Sequence, residues 1–380
     1  MKNKCLRSFK LLDQIVSAVN TYLVLFPFIL LADFDSIAEL SLLLSFFAFW
    51  QSLIRSSLVI GIFNPENAKI SLNVFRKKAF KVSILSVPIL GFSFQAYFSF
   101  DRLFILIVTI FIGMQQEVFR QFCINKKEFF IALVSDVSWL IITTSILVIL
   151  QFNNILTIET ALLSWMFGGI FCIAVGIFGK KNSDEDQTST KVVLPRPISF
   201  SIPSIAAVLP IIQNYFLIKS GLSTELGVYR SIQLVFLPAI FLINLQQPYL
   251  SESMFNLNFI NIKNVKVKMY YALSFLVLLC LGASFLMHLP HGYYNFVYLI
   301  LSVSIFLAFE ISFVSLYLLI SKFEATLVKL RLVWLGSSTS VMLLFTESIY
   351  SFLLVQFLMD LALYFFALKK LTSYLKSRNV

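Results

Sequence analysis

The sequence predicts an all-α polytopic membrane protein: about 12 transmembrane helices in two six-helix halves, related by a pseudo-twofold axis along the membrane normal. Three observations carry this. Of the 380 residues, 59% are apolar and 13% charged, and the mean hydropathy is +0.88; soluble domains average roughly 45–50% and about 25%. Apolar runs of about 18 residues or more recur along the whole chain, each long enough to cross a ~30 Å hydrocarbon core as a helix. The basic residues fall in alternate breaks between these runs, which is a topology signal. Runs of this kind exclude a transmembrane β-barrel, whose strands alternate polar and apolar. They equally exclude a soluble globule, a disordered chain and a secreted disulfide scaffold.

The predicted spans are 14–32, 37–60, 80–98, 103–119, 129–150, 160–178, 198–218, 226–246, 269–288, 293–320, 327–345 and 347–368. The first follows a basic N-terminus but is long for a signal peptide, and no AxA-like site follows it, so it reads as an uncleaved span. With the N-terminus cytoplasmic, all but four of the 30 Lys and Arg residues lie at the N-terminus, in the even-to-odd loops or at the C-terminus. Arg102 and Lys219 fall on the opposite side, and Arg55 and Arg230 fall in or near spans. Both termini are therefore predicted to be cytoplasmic. The net charge of +11 is spread over these loops rather than gathered as a nucleic-acid patch. Cys5, Cys123, Cys172 and Cys280 have no CxxC or metal spacing and read as small core residues.

The longest charged break, 179–197, lies near the middle and prompts a search for a repeat. AELSLLLS (38–45) resembles TELGVYRS (224–231), LGFSF (90–94) resembles LGASF (281–285), and INKKEF (124–129) resembles ISKFEA (320–325). The last two segments are each followed by Trp–Leu, at Trp139–Leu140 and Trp334–Leu335. These matches are collinear at an offset near half the chain. The predicted organisation is thus an N-terminal bundle (1–180), a cytoplasmic linker (181–197) and a C-terminal bundle (198–380). Six helices is an even number, so both halves enter from the same side.

Two such halves joined by short loops form a transporter plan with the pathway between them. On span two, Ser41, Ser45, Ala48, Ser52 and Arg55 share one face. Small residues at that spacing fit either a tight helix seam or a cavity lining. Arg55 tips the balance toward a lining, because a charge in a span faces a partner or a water-filled path; snorkelling remains the alternative for it. Gln14 and Asn20 on span one, Asn214 on span seven, and Arg230 and Asn244 on span eight complete the predicted substrate cavity. Pro27, Pro203, Pro210 and Pro238 allow bends in these helices. Asp136, Glu310 and Asp360 are predicted to pair with Arg55 or Arg120 or to couple transport to protons or cations, pairing being the cheaper state. His288 and His291 flank an outer turn and read as interfacial. No catalytic residues, metal site or cofactor are expected. There is no Walker motif, zinc spacing or Gly-rich dinucleotide turn, and no outer loop is large enough to house a sugar-binding enzyme site.

Asp13–Gln14 with Ser17 and Asn20, the Glu39 region, LSTELGVYRSIQ (222–233) before Pro238 and Gln247–Pro248, and VFRQFCINKKEFFIALVSDV (118–137) resemble the bacterial polysaccharide flippases. Those belong to the multidrug/oligosaccharidyl-lipid/polysaccharide exporter superfamily. The resemblance covers most of the chain through loose motifs, with Ser41 standing where a glycine is usual. It implies O-antigen-type surface polysaccharide biosynthesis: a polyprenyl-diphosphate-linked oligosaccharide is flipped across the bacterial inner membrane by alternating access. The implied partners are that lipid-linked oligosaccharide, membrane lipids, and glycan-synthesis or polymerase proteins; nucleic acid is not among them. Arg55 would then meet the diphosphate. Two rival readings remain: a multidrug or small-solute antiporter of similar architecture, and a non-transporting scaffold of a glycan-synthesis complex. A major-facilitator carrier is disfavoured, because its basic glycine-rich loop is not seen in NPENAKISLNVFRKK.

Overall fold

The computed structural model describes residues 12–13, 15–17, 19–31, 33–54, 62, 71–84, 87–88, 99–179, 197–240, 242–243, 259–286, 289, 294–320, 324–345 and 348–377. Gln14, Arg55, Asn244, His288, His291 and most of the 181–197 linker lie outside these residues. The chain is all-helical where described. After helical residues from Leu12 and a 3₁₀ turn at Leu23–Leu25 come α1 (Phe26–Leu30), α2 (Phe34–Ile54), α3 (Leu72–Ile84), α4 (Phe100–Asn125), α5 (Phe129–Phe152) and α6 (Ile158–Gly179). The second half holds α7 (Pro197–Lys219), α8 (Ser223–Val235), α9 (Phe259–Leu286), α10 (Asn295–Ile320), α11 (Glu324–Phe345) and α12 (Ile349–Ser377). Among the described residues, seven helices are long and apolar enough to cross a membrane: α2, α4, α5, α6, α9, α10 and α12.

Proline chemistry explains two of the helix breaks. Pro27 has no N–H to bond the Leu23 carbonyl four residues back. The chain tightens into a 3₁₀ turn there, and Phe26 N–H takes the Leu23 carbonyl instead. In the same way, Pro238 cannot bond Leu234; α8 ends at Val235, and Phe236 N–H reaches the Gln233 carbonyl at 3.1 Å. By contrast, α7 runs unbroken past both Pro203 and Pro210. Lys127, Asn154 and Gly221 take positive φ just beyond α4, α5 and α7. Such residues close a helix by turning its last carbonyls toward backbone N–H groups, as when Glu128 N–H reaches the Cys123 carbonyl at 2.8 Å.

Several helices extend beyond the spans the sequence predicts. The basic stretch Arg76–Lys81, expected to be mostly loop, is helical in α3. Its Leu72, Phe75, Ala79 and Ser83 are buried, a three-four-four spacing that packs one face onto α4. The basic lead-in before 269 is likewise helical in α9, and α12 continues to Ser377 instead of 368. The largest consequence is in α4, which runs to Asn125 rather than 119. Hydropathy ends a span at the first charges, whereas a buried partner lets the helix continue through them.

Contacts divide the chain into two units, Met1–Leu31 with Leu42–Ala207, and Ala32–Ser41 with Val208–Val380. In the first, α6 packs on α4 and α5, and α3 packs on α4. Its centre is aromatic: Trp165 is 1% exposed, 4.6 Å from the Phe47 ring and 5.9 Å from that of Trp139. In the second, α12 packs on α10 and α11, with α8 and α9 against α10. Within that unit, Asp35 at the start of α2 accepts hydrogen bonds from Ser223 (2.7 Å) and Thr224 (2.9 Å) at the start of α8. Gly227 permits this close approach, since a Cβ there would overlap the Phe34 carbonyl oxygen.

The tryptophans of the two Trp–Leu pairs each donate an indole N–H to the next helix, one to a backbone carbonyl and one to a carboxylate. Trp139 on α5 donates its indole N–H to the Trp165 carbonyl on α6 at 2.9 Å, and Trp334 on α11 donates to Asp360 on α12, also at 2.9 Å. In both cases the acceptor lies 26 residues further along the chain.

Candidate functional site: a buried charge cluster

The first unit encloses a charge cluster built from three helical segments. Gly113, Gln116, Glu117 and Arg120 fall on one face of α4 at steps of three, one and three. Arg120, whose side chain is 6% exposed, has Nη1 3.4 Å from Asp13 Oδ2 and Nη2 3.4 Å from Glu117 Oε1. Asp136 on α5 is 2% exposed, and its Oδ2 lies 4.0 Å from Arg120 Nη1. One guanidinium therefore serves three carboxylates, two from the α4–α5 hairpin and one from the first helical segment.

Neutral polar groups hold these charges in place. Gln116 Nε2 donates to Asp136 Oδ1 at 2.8 Å. Ser135 donates to the Cys172 carbonyl on α6 at 2.7 Å. Asn20 Nδ2 donates to the backbone carbonyl of Asp136 at 2.9 Å, and Gln51 on α2 donates to Glu117 Oε2 at 3.3 Å. The cluster borders a cavity of about 20 Å³, walled also by Phe47, Trp139 and Trp165. Gly113 makes room for the Phe47 ring, which a Cβ would overlap. A water needs ~10–15 Å³ and two to four polar partners, and drug-sized sites run to ~300–1,000 Å³. The cavity thus suits one water or a proton path and is too small for a substrate.

Three polar groups stand out among the described residues of the second unit. Arg230 donates from Nε to Asn214 Oδ1 at 3.2 Å, donates also through Nη2 to the same oxygen and through Nη1 to Gln233, and lies over the Tyr229 ring. Asp360 accepts from Trp334 and from Gln356 (3.0 Å), whose own amide oxygen accepts from Gln213 at 2.8 Å. Glu310 on α10 meets Lys266 on α9 at 2.7 Å and accepts from Tyr270, with Tyr364 on α12 at 3.4 Å.

The structure gathers the sequence-predicted residues unevenly. Asp136 and Asn20 sit together in the first-unit cluster, and Asn214 and Arg230 bond directly in the second unit. Ser45 and Ser52 are half-buried on α2, but it is their neighbour Gln51 that reaches the cluster. Glu310 and Asp360 belong to different networks in the second unit. Gln14, Arg55 and Asn244 fall outside the described residues. Asp13, Gln116, Glu117 and Arg120 were not among the predicted cavity residues. The signal of Gln116, Glu117 and Arg120 was present as the GxxQExxR pattern at 113–120, of which a span ending at 119 left only Arg120 outside.

A search of solved structures finds a MATE multidrug transporter, DinF-BH, in a ligand complex, at a TM-score of 0.70 and 13% identity, covering 97% of this chain and 95% of that one. The chain has a MATE-like fold. Further neighbours are an inward-facing multidrug resistance MATE family transporter of the MOP superfamily (TM-score 0.64, 11% identity, 96% of each chain) and an outward-facing one (0.57, 12%, 98% and 92%). No family model and no curated protein matches the sequence. The fold is that of a multi-pass membrane protein. The neighbours named here are multidrug transporters, two of them of the MOP superfamily.

Proposed function

We propose that this chain is an alternating-access membrane transporter that expels small amphipathic solutes in exchange for protons, with Asp13, Glu117 and Asp136 around Arg120 as the coupling site. The observation that carries this is the burial of two aspartates on one guanidinium. Asp13 and Asp136 both face Arg120 inside an apolar bundle, and Asp13 Oδ1 and Asp136 Oδ2 have no hydrogen-bond partner among the described residues. Holding both ionised in such a place is costly, so the pair carries a proton in at least one stage of its cycle. A group that must bind and release a proton while shielded from water is what coupling requires. The cavity is small enough to admit a proton and a water while excluding the solute.

The MATE-like fold supports the multidrug reading, since neighbours of that fold include a multidrug transporter in a ligand complex and others in inward- and outward-facing conformations. The test is uptake of a fluorescent organic cation into proteoliposomes under an imposed pH gradient. Wild-type transport should follow the gradient, and Asp136→Asn should abolish that dependence while leaving dye binding intact. Transport that follows a sodium gradient instead, or an Asp136→Asn variant as active as wild type, would sink the assignment.

A second reading, flipping of polyprenyl-diphosphate-linked oligosaccharide, draws on the sequence resemblance and on one geometric feature. Arg230 donates to Asn214 and Gln233, and its guanidinium charge within the second unit is of the kind that attracts a phosphate. Deleting the gene separates the two: loss of a surface glycan with build-up of its lipid-linked precursor supports flipping, whereas dye sensitivity with an intact glycan supports drug export.

A further inference from the structure

A second charged site lies on α3, away from the coupling cluster. A cavity of about 570 Å³ opens beside this helix, lined by Arg76, Lys77, Lys78, Phe80 and Lys81 and by Gln115 of α4. Four cations border one hollow, and no carboxylate is among its described lining residues. Arg76 is the informative member. Its Nε and Nη2, the two nitrogens along one edge of the guanidinium, are buried with no hydrogen-bond partner among the described residues. The guanidinium is supported from another side by the Phe119 ring, 5.5 Å away. Gln115 donates to the Arg76 backbone carbonyl at 3.2 Å, tying α3 to α4 at this residue.

Buried guanidinium nitrogens without partners are rare, because leaving them unmet forfeits strong charge-assisted bonds. The edge they form matches two oxygens of one phosphate. Loop lysines that merely set topology need neither a hollow nor a buried arginine. The neighbouring surface indicates what carries the phosphate. Phe80 and Ile84, on the same helix, are 52% and 47% exposed, and Phe80 packs against Phe111 at 5.3 Å, so apolar surface adjoins the cationic hollow. The charge split in the sequence assigns this end of α3 to the cytoplasmic side, where anionic lipids attract basic clusters.

We propose that the α3 hollow is a binding site for the phosphate of an anionic phospholipid headgroup. Arg76 turns its Nε–Nη2 edge, buried in this structure, onto two phosphate oxygens, Lys77, Lys78 and Lys81 add positive field around the headgroup, and an acyl chain lies along Phe80 and Ile84. The site is independent of the solute that the protein carries.

Native mass spectrometry of the purified full-length chain tests this with phosphatidylglycerol, phosphatidylcholine and inorganic phosphate as probes. Wild type should retain phosphatidylglycerol at least tenfold more tightly than phosphatidylcholine, and millimolar inorganic phosphate should not displace it. Arg76→Gln should lose that preference, Arg76→Lys should keep only part of it, and Lys369→Gln should leave it unchanged. Lys81→Gln, an exposed position that cannot unfold the bundle, should weaken retention several-fold and so guards against a misfolded Arg76 variant. Equal retention of the two lipids by wild type, undiminished retention by Arg76→Gln and Lys81→Gln, or displacement by inorganic phosphate would each overturn the proposal.

Discussion

Replacing Arg120 by glutamine removes the guanidinium that meets Asp13, Glu117 and Asp136. The side chain is 6% exposed, and its partners Asp13 and Glu117 are 0% and 2% exposed, so water cannot take over its role. Breaking a buried ion pair from one side costs about 3–5 kcal/mol, which at ~1.4 kcal/mol per decade lowers the folded-to-unfolded ratio by a factor of roughly 10² to 4 × 10³. The partner change Asp136→Asn keeps an oxygen for the Gln116 amide, now 2.8 Å away, and removes one negative charge. Asp136→Asn should therefore cost less than Arg120→Gln, and the double variant should be more stable than the sum of the single effects predicts, by about 1 kcal/mol or more. Thermal unfolding of the purified protein, followed by tryptophan fluorescence, measures this, because Trp139 and Trp165 wall the same cavity. The charge-cluster reasoning fails if Arg120→Gln unfolds within ~1 kcal/mol of wild type, or if the two substitutions add without coupling.

Two other outcomes follow from the packing. Gly227→Ala should destabilise the second unit by about 1–3 kcal/mol, because the new Cβ meets the Phe34 backbone rather than a movable side chain; a wild-type melting temperature would contradict the close approach. Glu159→Gln should cost no more than about 1 kcal/mol, since its pair with Arg102 is partly solvated at 32% and 26% exposure, and a larger loss in the same melt would mean that the pair is shielded by more than the described residues.

Much of the fold was legible in the sequence because the bilayer imposes it. Lipid offers no hydrogen bonds, so each apolar run must satisfy its own backbone as a helix, and composition alone locates α2, α4, α5, α6, α9, α10 and α12. Asp136, Glu310 and Asp360 were legible for the same reason as charges within apolar runs that need a partner. The 124–140 and 320–335 correspondence was legible as a sequence likeness, and Trp139 and Trp334 each donate an indole N–H to the following helix, to a backbone carbonyl in one case and a carboxylate in the other.

Where the charges meet was decided only by the tertiary structure. Hydropathy ended the fourth span at 119 and started the first at 14. That left Arg120 and Asp13 outside the spans, whereas Glu117 lay within the fourth span and was not read as part of the site. The contacts joining Asp13 to Arg120 and Asn20 to Asp136 span more than a hundred residues. Similarly, Asp136 meets Arg120, whereas Glu310 finds Lys266 and Asp360 finds Trp334. A sequence records which charges need a partner because burial costs each residue its own hydration. Which partner it finds depends on how helices distant in the chain pack together, and that is a property of the folded bundle.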